Sequence, residues 1–213
     1  MFWDKVSGAH TIVERTAALP AMHRLMVTAT GLKAGDTVLD VGCGAGTYLP
    51  LVREAIGETG RITGYDLAAK MVARSKRRIA VHGWDNVEVH RADATATDFG
   101  AECYDVVFAM WSLTAMPDSA AAIRRIHRAL RPGGRLFVAD VRLAPGGWTA
   151  PLVWLFRRLY RLLAGVTGDD IRPALRETFG SVELWDAKGN APTEDGPLPH
   201  WPPLVMLVAT KDT

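Results

Sequence analysis

The sequence predicts an α/β protein built on a seven-stranded, mostly parallel sheet with helices on both faces and an antiparallel final strand. Three observations carry that expectation. Seven short β-rich runs are distributed along the 213 residues. Helical patterns lie between the first five of them, the alternation expected when parallel strands are joined by helical crossovers. The first β-rich run also ends directly in three alternating glycines and a helix, the strand-to-helix turn common in such sheets.

The first 30 residues read as two helices, about 2–17 and 20–30, set before the sheet. Strands follow at TVLDV (37–41), RITGYD (61–66), VEVHRA (87–92), YDVVFAM (104–110) and GRLFVADV (134–141). Helices are expected over 47–57, 68–82 and 118–130. The third, DSAAAIRRIHRAL, opens on Asp118 and Ser119 as caps, puts Ile123, Ile126, His127 and Leu130 on one face, and stops at Arg-Pro-Gly-Gly. After Val141 the rhythm changes to a helical region over 148–179 and two last strands, SVELWDA (181–187) and LVMLVAT (204–210), separated by a Pro-rich loop at 191–203. A single domain over 1–213 accounts for the length: a helical cap at 1–31, a core at 33–141, a helical insert at 142–180 and a terminal strand pair at 181–213.

Composition excludes several classes. Hydrophobic residues make up 48% and charged residues 23%, a globular balance that rules out wholesale disorder or a long coiled coil. No run of 18 apolar residues is present to span a bilayer. The opening MFWDKVSGAH lacks a basic stretch followed by an apolar one, so no signal peptide is expected. Cys43 and Cys103 form neither a disulfide framework nor a zinc site, so no metal is expected and a reducing cytoplasm is the natural setting. The net charge of +2 is uneven: residues 118–176 hold eleven Arg, no Lys and four Asp, a local net of +7. That stretch, in the second half of the chain, prefers anions or an anionic surface.

The most informative stretch is VLDVGCGAG, residues 38–46. Glycines admit positive φ and carry no Cβ, so a ligand can lie against the backbone, and the following helix presents unpaired N–H groups. The spacing at Gly42, Gly44 and Gly46 is G-x-G-x-G, not the G-x-G-x-x-G of dinucleotide sites, and no Lys-Ser/Thr follows as in a P-loop. Asp40 just before the glycines would repel an anion and welcome a cation. Asp66, 20 residues past Gly46 at the end of the second strand, can accept the two hydroxyls of a ribose or cap the helix at 68–82. Asp93 can accept from an adenine amino group or sit solvated in its loop. Met110 and Trp111 end the fourth strand, where ligands of open α/β sheets sit.

Taken together, VLDVGCGAG, GYD, HRADA, YDVVFAM and LRPGGRLFVAD resemble the class I S-adenosylmethionine-dependent methyltransferase family over roughly 33–141, and the 181–210 strand pair is similar to the family's antiparallel ending. The resemblance implies a Rossmann-like sheet of order 3-2-1-4-5-7-6 and S-adenosylmethionine as cofactor. It implies that Asp40, Gly42, Cys43, Gly44 and Gly46 line the methionine part and that Asp66 binds the ribose. Leu67 and Met71 would flank the adenine, Asp93 and Ala94 would hold its amino edge, and Met110 and Trp111 would border the sulfonium and the acceptor.

Such chemistry needs mainly a positioned nucleophile, and a general base only where the acceptor must lose a proton. Of six His, His10 is the candidate base, because an N-terminal helix often closes over the pocket in this family; His127 reads as a packed core residue. No Asn-Pro-Pro-Tyr motif follows the fourth strand, which reads Met110-Trp111-Ser112-Leu113 and argues against a DNA or glutamine acceptor. The insert at 148–163, with Arg157, Arg158 and Arg161 beside Leu, Phe and Trp, suits a lid over an apolar substrate, a packed helix or dimer interface, or a helix lying on an anionic membrane. It is also loosely similar to methyltransferases of quinones and phospholipid headgroups. The expected function is transfer of a methyl group to an apolar small molecule. The competitors are a peripheral membrane enzyme acting on a lipid or quinone, a cofactor-binding protein without methyl transfer, and a NAD-linked oxidoreductase disfavoured by the glycine spacing. Nucleic acid is not an expected partner.

Overall fold

The computed structural model describes residues 23–24, 26–28, 30–141, 150–164, 170–185 and 204–213. Its strands are β1 (Thr37–Val41), β2 (Arg61–Asp66), β3 (Val87–Arg91), β4 (Tyr104–Met110), β5 (Leu130–Val141), β6 (Ser181–Trp185) and β7 (Leu204–Thr210). Its helices are α1 (Leu49–Ile56), α2 (Ala69–His82), α3 (Ser119–Ala129), α4 (Ala150–Ala164) and α5 (Arg172–Thr178). The strands form one sheet of order β3-β2-β1-β4-β5-β7-β6. β1 to β5 pair in parallel, and β7 runs antiparallel between β5 and β6. The expected order and antiparallel ending are therefore present.

Side-chain alternation along the central strands builds two cores. Leu39 and Val41 of β1, with Val107 and Ala109 of β4, face α3 and α5, where Ile123, Ile126 and Leu175 are buried, with Phe179 just past the end of α5. Val38, Val106 and Phe108 point the other way, against Leu49, Val52 and Ile56 of α1 and Val72 of α2. Strands buried on both faces read as continuous apolar runs, which is why period-2 alternation is faint in this sequence. At the base of β1, Asp105 accepts the Thr37 N–H at 2.8 Å and pairs with Arg131, tying β1, β4 and the start of β5 together.

Three boundaries differ from expectation. The helix expected from 47 begins at Leu49, because Gly46 and Leu49 donate their N–H groups to Cys43 and Gly46 in a continuing turn. Leu130, expected to close a helix face, has extended backbone (φ −70°, ψ 140°) and pairs with Tyr104, although it stays fully buried. Among the described residues of the region expected helical over 148–179 there are two helices, α4 and α5, with residues 170 and 171 outside both. The expected cap is present: Asp118 accepts from the Ala121 N–H at 2.8 Å. His127 packs edge-on against Phe179 with centroids 4.9 Å apart, and burial, then nearby Lys211, lowers its pKa. The expected helix at 2–17 lies outside the described residues; within 20–30, residues 23, 24 and 26–28 are helical.

Ile126, with no exposed surface, is set between α3 and the sheet. Ile126→Ala should cost about 2–5 kcal/mol through lost burial and the cavity left behind. Val81→Ala, at a position 76% exposed, should change stability by less than about 0.5 kcal/mol. Urea midpoints of the two variants at unchanged slope check the pair.

Candidate functional site

Parallel strands bring the carboxyl ends of β1, β2, β3 and β4 to one edge of the sheet, and a cavity of about 380 Å³ opens there. The turn after β1 forms its floor. The Gly42 and Cys43 N–H groups donate to Tyr65 O at 2.7 and 3.0 Å, and the Gly44 N–H donates to Asp66 Oδ2 at 2.9 Å. The other Asp66 oxygen, Oδ1, accepts the Ala68 N–H at 2.8 Å and caps the approach to α2. One carboxylate thus fixes both the glycine turn and the neighbouring helix start.

The three glycines serve different ends. A Cβ on Gly42 would lie 2.4 Å from Cβ of Ser112, whose hydroxyl donates to Val41 O at 2.7 Å. Gly44, at φ +56°, has nothing within 4 Å of the place a Cβ would occupy, so its backbone borders open space on the cavity floor. Gly46 is set against Ser75 and Leu49, at 2.5 and 2.7 Å from a hypothetical Cβ. It allows α2 to approach the turn and does not line the cavity, which departs from the expected placement along the methionine part.

Asp40 sits beside this floor, 5% exposed, and among the described residues its carboxyl takes no hydrogen bond. Burial, followed by repulsion from Asp66, raises its pKa from 3.8 to about 7. Cys43 also lines the cavity, and burial, then the charges of Asp40 and Asp66, pushes its thiol well up, so it stays neutral.

Asp40, Gly42, Cys43, Gly44, Asp66, Leu67, Met71, Asp93, Ala94, Met110 and Trp111 all border this one cavity. Asp93 uses Oδ1 to accept the N–H and hydroxyl of Thr95, at 2.9 and 2.7 Å. Trp111 has a left-handed backbone, φ +58°, held by its N–H to Ala139 O at 2.7 Å. Its indole N–H donates to the Tyr48 hydroxyl at 3.0 Å.

Sequence reasoning did not single out Tyr48, Ser112, Met116 or Pro117, which close the cavity on the side of Trp111, or His23 as a site residue. The His23 ring lies 4.5 Å from the Tyr48 ring and is 7% exposed. Residues 23 and 48 meet only through the fold, so no local spacing could pair them. The expected base His10 lies outside the described residues.

An acid-flanked glycine turn, an acid at the second strand end and a cavity across the strand termini define the Rossmann-like nucleoside-binding class of sheet. Residues 32–169 match the family model described as a methyltransferase domain, and the chain belongs to that family. It is 37% identical to the 27-O-demethylrifamycin SV methyltransferase of Amycolatopsis mediterranei over 145 residues, 68% of this chain and 51% of that protein. It is 29% identical to the ubiquinone/menaquinone biosynthesis C-methyltransferase UbiE of Hahella chejuensis, over 65% of this chain and 57% of that protein. The chain therefore spans little more than half the length of these relatives. Among solved structures, the 4+2 cyclase SpnF superposes with a TM-score of 0.61 at 27% identity, over 79% of this chain and 60% of that one. The YcgJ protein of Bacillus superposes with a TM-score of 0.71 at 16% identity, over 91% and 99%, a likeness of fold.

The raised pKa of Asp40 has a definite sign. Between pH 3.8 and about 7 the folded chain holds a proton that the unfolded chain has released, so this group's contribution to stability falls as pH rises and is fully lost above about 7. Asp40→Asn should therefore raise the melting temperature of the ligand-free protein at pH 8 and change it little near pH 4. Thermal unfolding at the two pH values reads the difference.

Proposed function

We propose that the chain is an S-adenosylmethionine-dependent methyltransferase that moves a methyl group to an apolar small-molecule acceptor by in-line attack. One observation carries the reading: a buried carboxyl, Asp40, borders the cavity with no partner among the described residues and a pKa near 7. An ionised carboxylate there is costly until a cation arrives. The open space beside Gly44 admits a ligand against the backbone, and the Asp66 carboxylate, fixed by the Gly44 and Ala68 N–H groups, stands at the cavity where a ribose would lie. These features fit a nucleoside that is cationic at one end. Bound there, the cofactor supplies a methyl group already activated on a sulfonium sulfur.

The residues of this chain then have separable tasks. Asp40 balances positive charge at the methionine end. Asp66 fixes the ribose, and Leu67, Met71, Asp93 and Ala94 surround the adenine. Met110 and Trp111 stand between cofactor and acceptor, and Met116 and Pro117 extend an apolar wall that keeps water from the reacting pair. Among the described residues His23 is the imidazole that borders the cavity, and it is assigned the proton of a hydroxyl acceptor. His10 remains a second candidate for that role. The relatives named for O-methylation of antibiotics and for C-methylation in quinone biosynthesis support attack by an oxygen or a carbon of a small molecule, and phenols, enols and quinols are the acceptors we infer from that pair of chemistries. A binding protein that performs no methyl transfer is the second reading, favoured by the likeness to a cyclase.

Calorimetry should detect S-adenosylmethionine and not NAD, with affinity rising as pH passes about 7 and Asp40 ionises. Asp66→Asn should weaken that binding at least about tenfold, the loss of one hydrogen bond to a charged group. Equal binding of NAD, or no binding of either, would remove the cofactor assignment. Labelled methyl transfer to a panel of phenols, enols and quinols separates enzyme from binder. With an acceptor from that panel, His23→Gln should slow transfer on the order of 10²–10⁴-fold while leaving cofactor affinity unchanged.

A further inference from the structure

We propose that α4 is an interfacial helix that seats this protein on an anionic lipid bilayer. This deepens the reading of the site as one for an apolar acceptor, but its test uses no methyl transfer, so the two can fail separately.

The observation is an exposed apolar stripe on a regular helix. Leu152, Leu155, Leu159 and Leu162 are 68%, 48%, 46% and 79% exposed. Their spacing of three, four and three residues sets them along one side of α4. Water-facing leucines in such a row are costly unless something covers them. Beside the stripe runs a second row at helical spacing: Trp154, Arg158 and Arg161, all exposed. The Arg158 guanidinium lies over the Trp154 ring, 5.7 Å from its centroid. An apolar row flanked by a tryptophan and arginines is the profile of a helix lying in the plane of a membrane, with leucines among the acyl chains and the cations at the phosphates.

Charge selects the occupant. Residues Ala150–Ala164 include three Arg and no Asp or Glu. A second copy laid along the stripe would set cations against cations with no acid to answer them. A protein partner would have to be both apolar and acidic along one line, whereas an anionic bilayer offers both at every point. The helix is about 22 Å long at 1.5 Å per residue, enough to lie on a bilayer and too short to cross one. No described helix is long and apolar enough to cross a membrane.

Sedimentation of the full chain with vesicles tests this. The protein should be retained at low salt by vesicles of phosphatidylcholine mixed with phosphatidylglycerol and poorly by phosphatidylcholine alone, and retention should fall as salt screens the charges. Arg158→Glu with Arg161→Glu should reduce retention roughly tenfold or more. Leu152→Asp with Leu162→Asp should abolish it while the melting temperature stays unchanged, since these side chains are the most exposed of the row. Absence of retention on the anionic vesicles at low salt overturns the proposal. So does retention that the leucine pair leaves intact, or a dimer in sedimentation velocity that the leucine pair dissociates without any vesicle binding.

Discussion

The geometry of the cavity hangs on the two oxygens of Asp66. One receives the N–H of Gly44 and the other the N–H of Ala68, so the turn after β1 and the entrance to α2 are held by the same carboxylate. That arrangement concentrates negative charge beside Asp40, which is already buried. Two acids near each other in a poorly hydrated place cannot both ionise cheaply. The result is a floor with a fixed shape and an unsettled charge. A cationic ligand completes it electrostatically, and the hydrogen bonds to Asp66 mean that little backbone has to move when one arrives.

The opposite wall is organised by longer connections. Ser112 reaches back to Val41, Trp111 reaches across to Tyr48, and Tyr48 meets His23 and Met26. These contacts join the end of β4 to the start of α1 and to the helical residues before the sheet. The floor is thus made by neighbours in sequence, while the wall that shapes the acceptor side comes from distant segments.

That division explains what could be read in the sequence. The strand runs, the cap at Asp118 and the acids at 40 and 66 are local signals, and each has a local physical cause: burial on both faces, an orphan N–H, a strand end. The grouping of eleven expected residues around one cavity follows from parallel strands ending together. Gly46 resembles Gly42 and Gly44 on paper, yet Ser75 and Leu49 occupy its neighbourhood, and only packing reveals that. Leu130 keeps its apolar identity in either a helix or a strand, so hydrophobicity could not mark where α3 ends. His23 and Tyr48 gave no pattern at all, since their meeting is tertiary.

Trp111 occupies a backbone region that bulky residues avoid, a strain of about 1–3 kcal/mol that Ala139 O and Tyr48 help to hold. A glycine would sit there with ease. The indole is thus present against local backbone preference, and removing it relieves the main chain while enlarging the chamber. For anyone wishing to broaden the range of molecules this protein accepts, position 111 is a place where an opening relaxes the backbone in exchange for the bond to Tyr48.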